Sequence, residues 1–248
     1  MAVTIVANWK MHPQTKAGAR VLVSATKKAA RTIRGLSVII AAPSIFLAEA
    51  AKGPKSAKVA FAAQDIHFEK VGAFTGETSA WQAKDVGAAY TLIGHSERRA
   101  MGETDEDTRK KVAAALAAGL KPILCVGEKH RDSEGEYLAG FSAQLMTGLA
   151  DVPASKLKAV SIAYEPVWAI GGEKPMSPNL MHETSLYIRK VLSERFGKAA
   201  LSVPILYGGS ITEQTAREMM TEGEVQGLLV GHVSVDPVRF ATLLKSLA

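Results

Sequence analysis

Cysteine is nearly absent from this 248-residue chain, where Cys125 stands alone. One thiol cannot form an intramolecular disulfide, so the fold must rest on its core, and a reducing, cytoplasmic setting is expected. Long hydrophobic runs are missing as well. No stretch approaches the roughly 18 apolar residues of a membrane span, and Met1 to Asn8 lacks the charged and apolar regions of a secretion signal. Aromatic residues make up only 6% of the chain and do not interleave with the basic ones, so the net charge of +6 does not read as a nucleic-acid surface. The densest basic patch, Lys27, Lys28, Arg31 and Arg34, has helical spacing and reads as a solvated face. Neither nucleic acid nor membrane is expected as a partner, which leaves anionic small molecules. No metal-ligand cluster and no nucleophile elbow occur, which argues against metal-assisted or triad hydrolysis.

What the chain does have is apolar residues, 47% of the total, arranged in eight short runs. They are Val3 to Ala7, Ser37 to Ala42, Lys58 to Ala63, Tyr90 to Ile93, Pro122 to Val126, Val160 to Tyr164, Val203 to Tyr207 and Gly227 to Val230. Helical patterns lie between most of them, including Thr104 to Ala118, Arg131 to Leu149, Met181 to Phe196 and Pro237 to Leu247, the last with Asp236 as its N-cap. Runs this apolar suit strands covered on both sides, as in a parallel sheet with helices outside. Eight such units in about 250 residues predict an α/β fold, one closed (β/α)8 barrel domain over residues 1–248. A doubly wound open sheet is the alternative, but its first turn is usually glycine-rich. Here that turn is Asn8-Trp9-Lys10-Met11-His12.

In a parallel barrel all strand C-termini open on one face. Residues just past the runs should therefore meet: Asn8, Lys10, Gln64, His95, Glu165, the Gly208-Gly209-Ser210 turn and Gly231. The segment Ala163-Tyr164-Glu165-Pro166-Val167-Trp168-Ala169-Ile170-Gly171-Gly172 is the most informative. A strand ends in one carboxylate, proline fixes the backbone, and two glycines open a segment expected to move. A general base that admits substrate and then excludes water needs this arrangement.

Five ordered motifs carry a resemblance. Asn8-Trp9-Lys10-Met11, Gly72-Ala73-Phe74-Thr75-Gly76-Glu77, Ile93-Gly94-His95-Ser96-Glu97-Arg98-Arg99, Ala163 to Gly171 and Tyr207-Gly208-Gly209-Ser210 are similar to those of the triosephosphate isomerase family, along essentially the full chain. The resemblance implies a TIM barrel that interconverts dihydroxyacetone phosphate and D-glyceraldehyde 3-phosphate through an enediol(ate), in glycolysis and gluconeogenesis, with no cofactor or metal. It assigns Glu165 as the base, His95 as the group that polarises the carbonyl, Lys10 as fixed positive charge, and Glu97 as a positioning or proton-relay residue. It makes Asn8 and Lys10 substrate-binding residues, and backbone N–H groups of Gly171, Ser210, Gly231 and His232 hold the phosphate. A helix beginning after Gly231 is expected to add dipole attraction, and Trp168 is expected to be an apolar hinge contact. The Gly72–Glu77 loop, with Thr75, implies a homodimer. His232 replaces a second glycine common in the family, a place where side-chain crowding or backbone strain is expected. His12 and Asp65 replace frequent asparagines, and the altered lid tip, Glu173 to Pro175, is expected to stiffen. These differences leave two other readings: an isomerase of a four-carbon ketose phosphate, or a non-catalytic phosphate-binding barrel.

Overall fold

The computed structural model describes residues 3–54, 56–170 and 176–247. Eight parallel strands close into a barrel in chain order: β1 (Val3–Asn8), β2 (Leu36–Ala42), β3 (Val59–Ala63), β4 (Tyr90–Ile93), β5 (Lys121–Val126), β6 (Ser161–Tyr164), β7 (Ile205–Tyr207) and β8 (Gly227–Val230). The helices outside are α1 (Lys16–Arg31), α2 (Ser44–Ala51), α3 (Ala80–Asp85), α4 (Ser96–Ala100), α5 (Asp105–Ala117), α6 (Tyr137–Gly148), α7 (Pro178–Phe196), α8 (Glu213–Glu222) and α9 (Pro237–Ser246). Observed strand limits differ from the sequence reading by at most two residues.

Strand side chains alternate in direction, and this splits the core in two. Val6, Ile39, Leu92, Ile123, Leu206 and Leu229 fill the barrel interior together with small residues such as Ala41 and Ala163. Their neighbours Ile5, Ala7, Val38 and Ile40 face outward into the layer beneath the helices. Burial on both faces is why these strands lack polar alternation. Cys125 lies in the inner cluster, fully buried, and burial pushes its thiol well above the usual range. It is a packing residue.

Polar caps set several helix starts. Thr15, Ser79, Thr104, Ser177 and Thr212 each accept a backbone N–H of the first turn, and Asp236 caps α9 as its sequence predicts. The helix expected over Arg131 to Leu149 is shorter than that reading. Gly135 adopts φ +78°, outside the helical region, and the Asp132 carboxylate accepts the N–H groups of Glu136 and Tyr137, so α6 begins at Tyr137. Arg131 is thereby released for other contacts.

Closure depends on β8 lying against β1, with Thr4 opposite Gly227 and Ala7 opposite Val230. A Cβ at Gly227 would fall 1.9 Å from the Thr4 carbonyl oxygen. We expect Gly227→Ala to destabilise the fold by about 3 kcal/mol, the upper end of overpacking costs. Chemical denaturation should show a lower midpoint, and an unchanged midpoint would mean the barrel seam tolerates side chains.

Candidate active site

Glu165 follows β6 directly, and its backbone is pinned: its N–H donates to Val126 O at 2.8 Å, and Gly208 N–H donates to the preceding Tyr164 O at 2.8 Å. The residue is 3% exposed. One carboxylate oxygen, Oε2, accepts the Ser96 N–H at 2.9 Å, and Oε1 lies 3.1 Å from His95 Nε2. A Cβ on Gly208 would come within 3.0 Å of Glu165 Cγ, so glycine leaves room for the carboxylate to move. Burial raises the Glu165 pKa above the ordinary glutamate value, outweighing the attractions of His95, the Ser96 N–H and Lys10.

His95 is the N-cap of α4, and its Nδ1 accepts the Glu97 N–H at 3.2 Å. With Nδ1 accepting, a neutral ring carries its hydrogen on Nε2, the nitrogen nearer Glu165. The five-residue α4 supplies little dipole, and the direct N–H donor sets the tautomer.

Lys10 holds a positive φ of 50°, a strained value for a non-glycine residue. Two side chains stabilise it. Asn8 Oδ1 accepts the Lys10 N–H at 3.0 Å, and Gln64 Nε2 donates to Lys10 O at 2.9 Å and to Ala41 O at 2.8 Å. The Lys10 ammonium sits 2.5 Å from Glu97 Oε1, and Glu97 Oε2 lies 3.8 Å from His95 Nδ1. The Glu97 side chain thus engages Lys10, and its backbone N–H engages His95.

A cavity of about 360 Å³ gathers Asn8, Lys10, His95, Glu165, Ser210, Gly231 and His232 along one wall or another. Glu97 instead lines an adjoining cavity. Gly171 lies outside the described residues, as do Gly172 to Pro175, on which the lid-stiffening expectation rests. A Cβ on Gly231 would meet Lys10 Cε at 3.3 Å, so the bare residue lets the lysine pass close by. The strain expected at His232 is not found. Its side chain is exposed, and the positive φ angles of described non-glycine residues fall at Lys10 and Glu224. The helix expected after Gly231 is one 3-10 turn, His232–Val235, too short for a useful dipole.

Trp168 is not a purely apolar contact. Its indole N–H donates to Glu128 Oε1 at 2.9 Å. The same buried oxygen accepts the Tyr164 hydroxyl at 2.7 Å and Arg131 Nε at 2.6 Å. Ser210 Oγ donates to Ala169 O at 3.0 Å, tying the start of the segment after Glu165 to the β7 turn. Sequence reasoning missed Glu128 and Arg131, although Glu128 stands two residues past β5 and could have been found there. Ser96 contributes only a backbone N–H, which leaves no side-chain signature.

The sequence model of the family described as triosephosphate isomerase matches residues 3–247. Among curated relatives, a triosephosphate isomerase of Fusobacterium nucleatum is 38% identical over 245 residues, covering 98% of this chain and 97% of its own. Triosephosphate isomerases of Carboxydothermus hydrogenoformans and Aquifex aeolicus are each 39% identical, with coverage of 97% of both chains and 98% of both chains respectively.

The geometry predicts how the buried carboxylate titrates. NMR of 13C-labelled glutamate should place the Glu165 midpoint above the ordinary value of about 4.3. Lys10→Met should raise it further, because the ammonium favours the ionised form. A midpoint at or below the ordinary value would contradict the dominance of burial.

Proposed function

We propose how this chain, which belongs to the triosephosphate isomerase family and interconverts D-glyceraldehyde 3-phosphate and dihydroxyacetone phosphate, divides its reaction among residues. The observation that carries the assignment is the placement of His95, whose Nε2 lies 3.1 Å from the buried Glu165 carboxylate while its Nδ1 accepts the Glu97 N–H. When substrate enters, its carbonyl oxygen takes the place of Glu165 as the acceptor of that N–H. The carboxylate is released towards the adjacent carbon and removes its proton, while the C–H electron pair forms the enediolate double bond and charge moves to oxygen. His95 donates to that oxygen and the Lys10 ammonium stabilises it. As Glu165 returns its proton to the neighbouring carbon, the proton of that intermediate's remaining hydroxyl passes by way of His95 to the other oxygen, and the former hydroxyl oxygen becomes the carbonyl. The exchange balances on one carboxylate, one imidazole and the substrate, so no redox cofactor or metal is invoked.

Burial serves this step, because a carboxylate with a raised pKa is a stronger base once ionised. Glu97 is a positioning residue that holds Lys10. Asn8 braces the Lys10 backbone at the floor of the substrate cavity. The N–H groups of Gly171, Ser210, Gly231 and His232 hold the phosphate, with the glycine positions allowing close approach. The reaction is a step of glycolysis, and its reversibility suits gluconeogenesis as well. No described helix is long and apolar enough to cross a membrane. Together with the single buried thiol, this supports a cytoplasmic setting.

The subunit reading is a homodimer. The Gly72–Glu77 loop is exposed along its length, with Phe74 43% exposed, and Met11 and Met101 are bared at 90% and 76%. A cavity of about 630 Å³ beside Lys10, His95 and Glu97 is lined by Met11, Gln64 and Met101. It suits a partner's loop, which would bring Thr75 towards Asn8 and Lys10. Covering these apolar side chains supplies the driving force.

Two measurements test this reading. Glu165→Gln should lower kcat by about 10² or more, the scale of a lost general base, in steady-state conversion of D-glyceraldehyde 3-phosphate. Equal turnover in both proteins would overturn the role of Glu165. Sedimentation at micromolar concentration should find dimers, and fully active monomers would refute the shared site.

A further inference from the structure

The phosphate end of the substrate cavity must attract a dianion, yet its surroundings supply little net positive charge. Lys10 is matched by Glu97 at 2.5 Å, and Glu165 adds a buried negative group. The 3-10 turn after Gly231 is four residues long and brings negligible dipole. Arg239, in the first turn of α9, lines the same cavity beside Thr212 and His232. Its side chain is exposed and makes no hydrogen bond or ion pair among the described residues. Asp236, the nearest carboxylate in sequence, is turned onto the N–H groups of Val238 and Arg239 as the helix cap.

We infer that Arg239 is a phosphate-binding residue of this site, supplying its unpaired positive charge and selecting substrates that carry a phosphate dianion. This rests on the triose phosphate reading of the cavity. A guanidinium fork suits phosphate oxygens, and with no partner among the described residues it gives up none of them on binding. The capping carboxylate of Asp236 anchors the backbone that presents it. His232 stands alongside and keeps the rim polar. In a solvated rim the attraction between one cation and a dianion a few ångströms away changes affinity by about tenfold, and salt screens it.

Steady-state kinetics of Arg239→Ala, Arg239→Lys and Arg239→Glu at low and high ionic strength test the assignment. At low salt, kcat/KM for D-glyceraldehyde 3-phosphate should fall about tenfold in Arg239→Ala, mainly through KM. It should fall further in Arg239→Glu and be partly restored in Arg239→Lys. Competitive inhibition by inorganic sulfate should weaken in parallel, and all differences should shrink at high salt. Unchanged KM and sulfate inhibition in the alanine and glutamate variants at low salt would overturn it. Calorimetric binding of inorganic phosphate to wild type and Arg239→Ala separates the two readings. Weakened phosphate binding in a barrel that fails to turn over trioses would uphold Arg239 and sink the isomerase roles. Normal turnover with phosphate binding unmoved would sink Arg239 alone.

Discussion

Closure of the barrel between β8 and β1 is the constraint on which the site depends. The two strands are the ends of the fold in sequence, yet they pair in parallel from Thr4–Gly227 to Ala7–Val230. Because they run the same way, both chains leave on one face. Asn8 to Lys10 therefore emerge beside Gly231 and His232. Contacts across the seam are tight: Ser234 Oγ donates to Asn8 O at 3.3 Å, and Lys10 Cε passes within 3.3 Å of where a Cβ on Gly231 would stand. Glycine at Gly227 is what allows the two backbones to meet.

Charge at this face is arranged in matched sets. Lys10 is paired with Glu97, and Arg131 with Glu128, which also accepts Tyr164 and Trp168. Asp65 lies 2.9 Å from Arg98 and 2.7 Å from Lys111, while Lys111 also meets Glu103. This links the β3 end to the helix that follows His95, and Asp65 supplies there a charge that asparagine would lack. Glu165 differs, because its neighbours are the Ser96 N–H and the His95 imidazole and not a lysine or arginine. Neutral donors allow a carboxylate to stay ionised without neutralising it. That leaves it basic and able to exchange one hydrogen-bonded position for another.

Much of this was legible in the sequence, for identifiable reasons. Strands buried on both faces leave continuous apolar runs, so Val3 to Ala7 and Gly227 to Val230 stand out, and their ends mark the site. Asp236 before Pro237 is a local signal that needs no tertiary information. The reading of Arg131 to Leu149 as one helix failed because apolar periodicity outweighed Gly135, whose left-handed backbone ends the regular turn. That error hid Arg131 and its partner Glu128. Strain was expected at His232 because glycine is common there, but it lies at Lys10, where Asn8 and Gln64 compensate it.

The sequence by itself determined the eightfold alternation, the face on which the strand ends gather, and the types of group available there: one base, one imidazole and one lysine. Apolar periodicity and cap residues act over a few positions, so they can be read without coordinates. Only the tertiary structure decided which nitrogen of His95 accepts, the pairing of Lys10 with Glu97, the burial of Glu165 and the lack of a side-chain partner for Arg239 among the described residues. Apart from the local His95–Glu97 contact, each of these depends on distances between residues far apart in sequence, and such distances exist only once the barrel has closed.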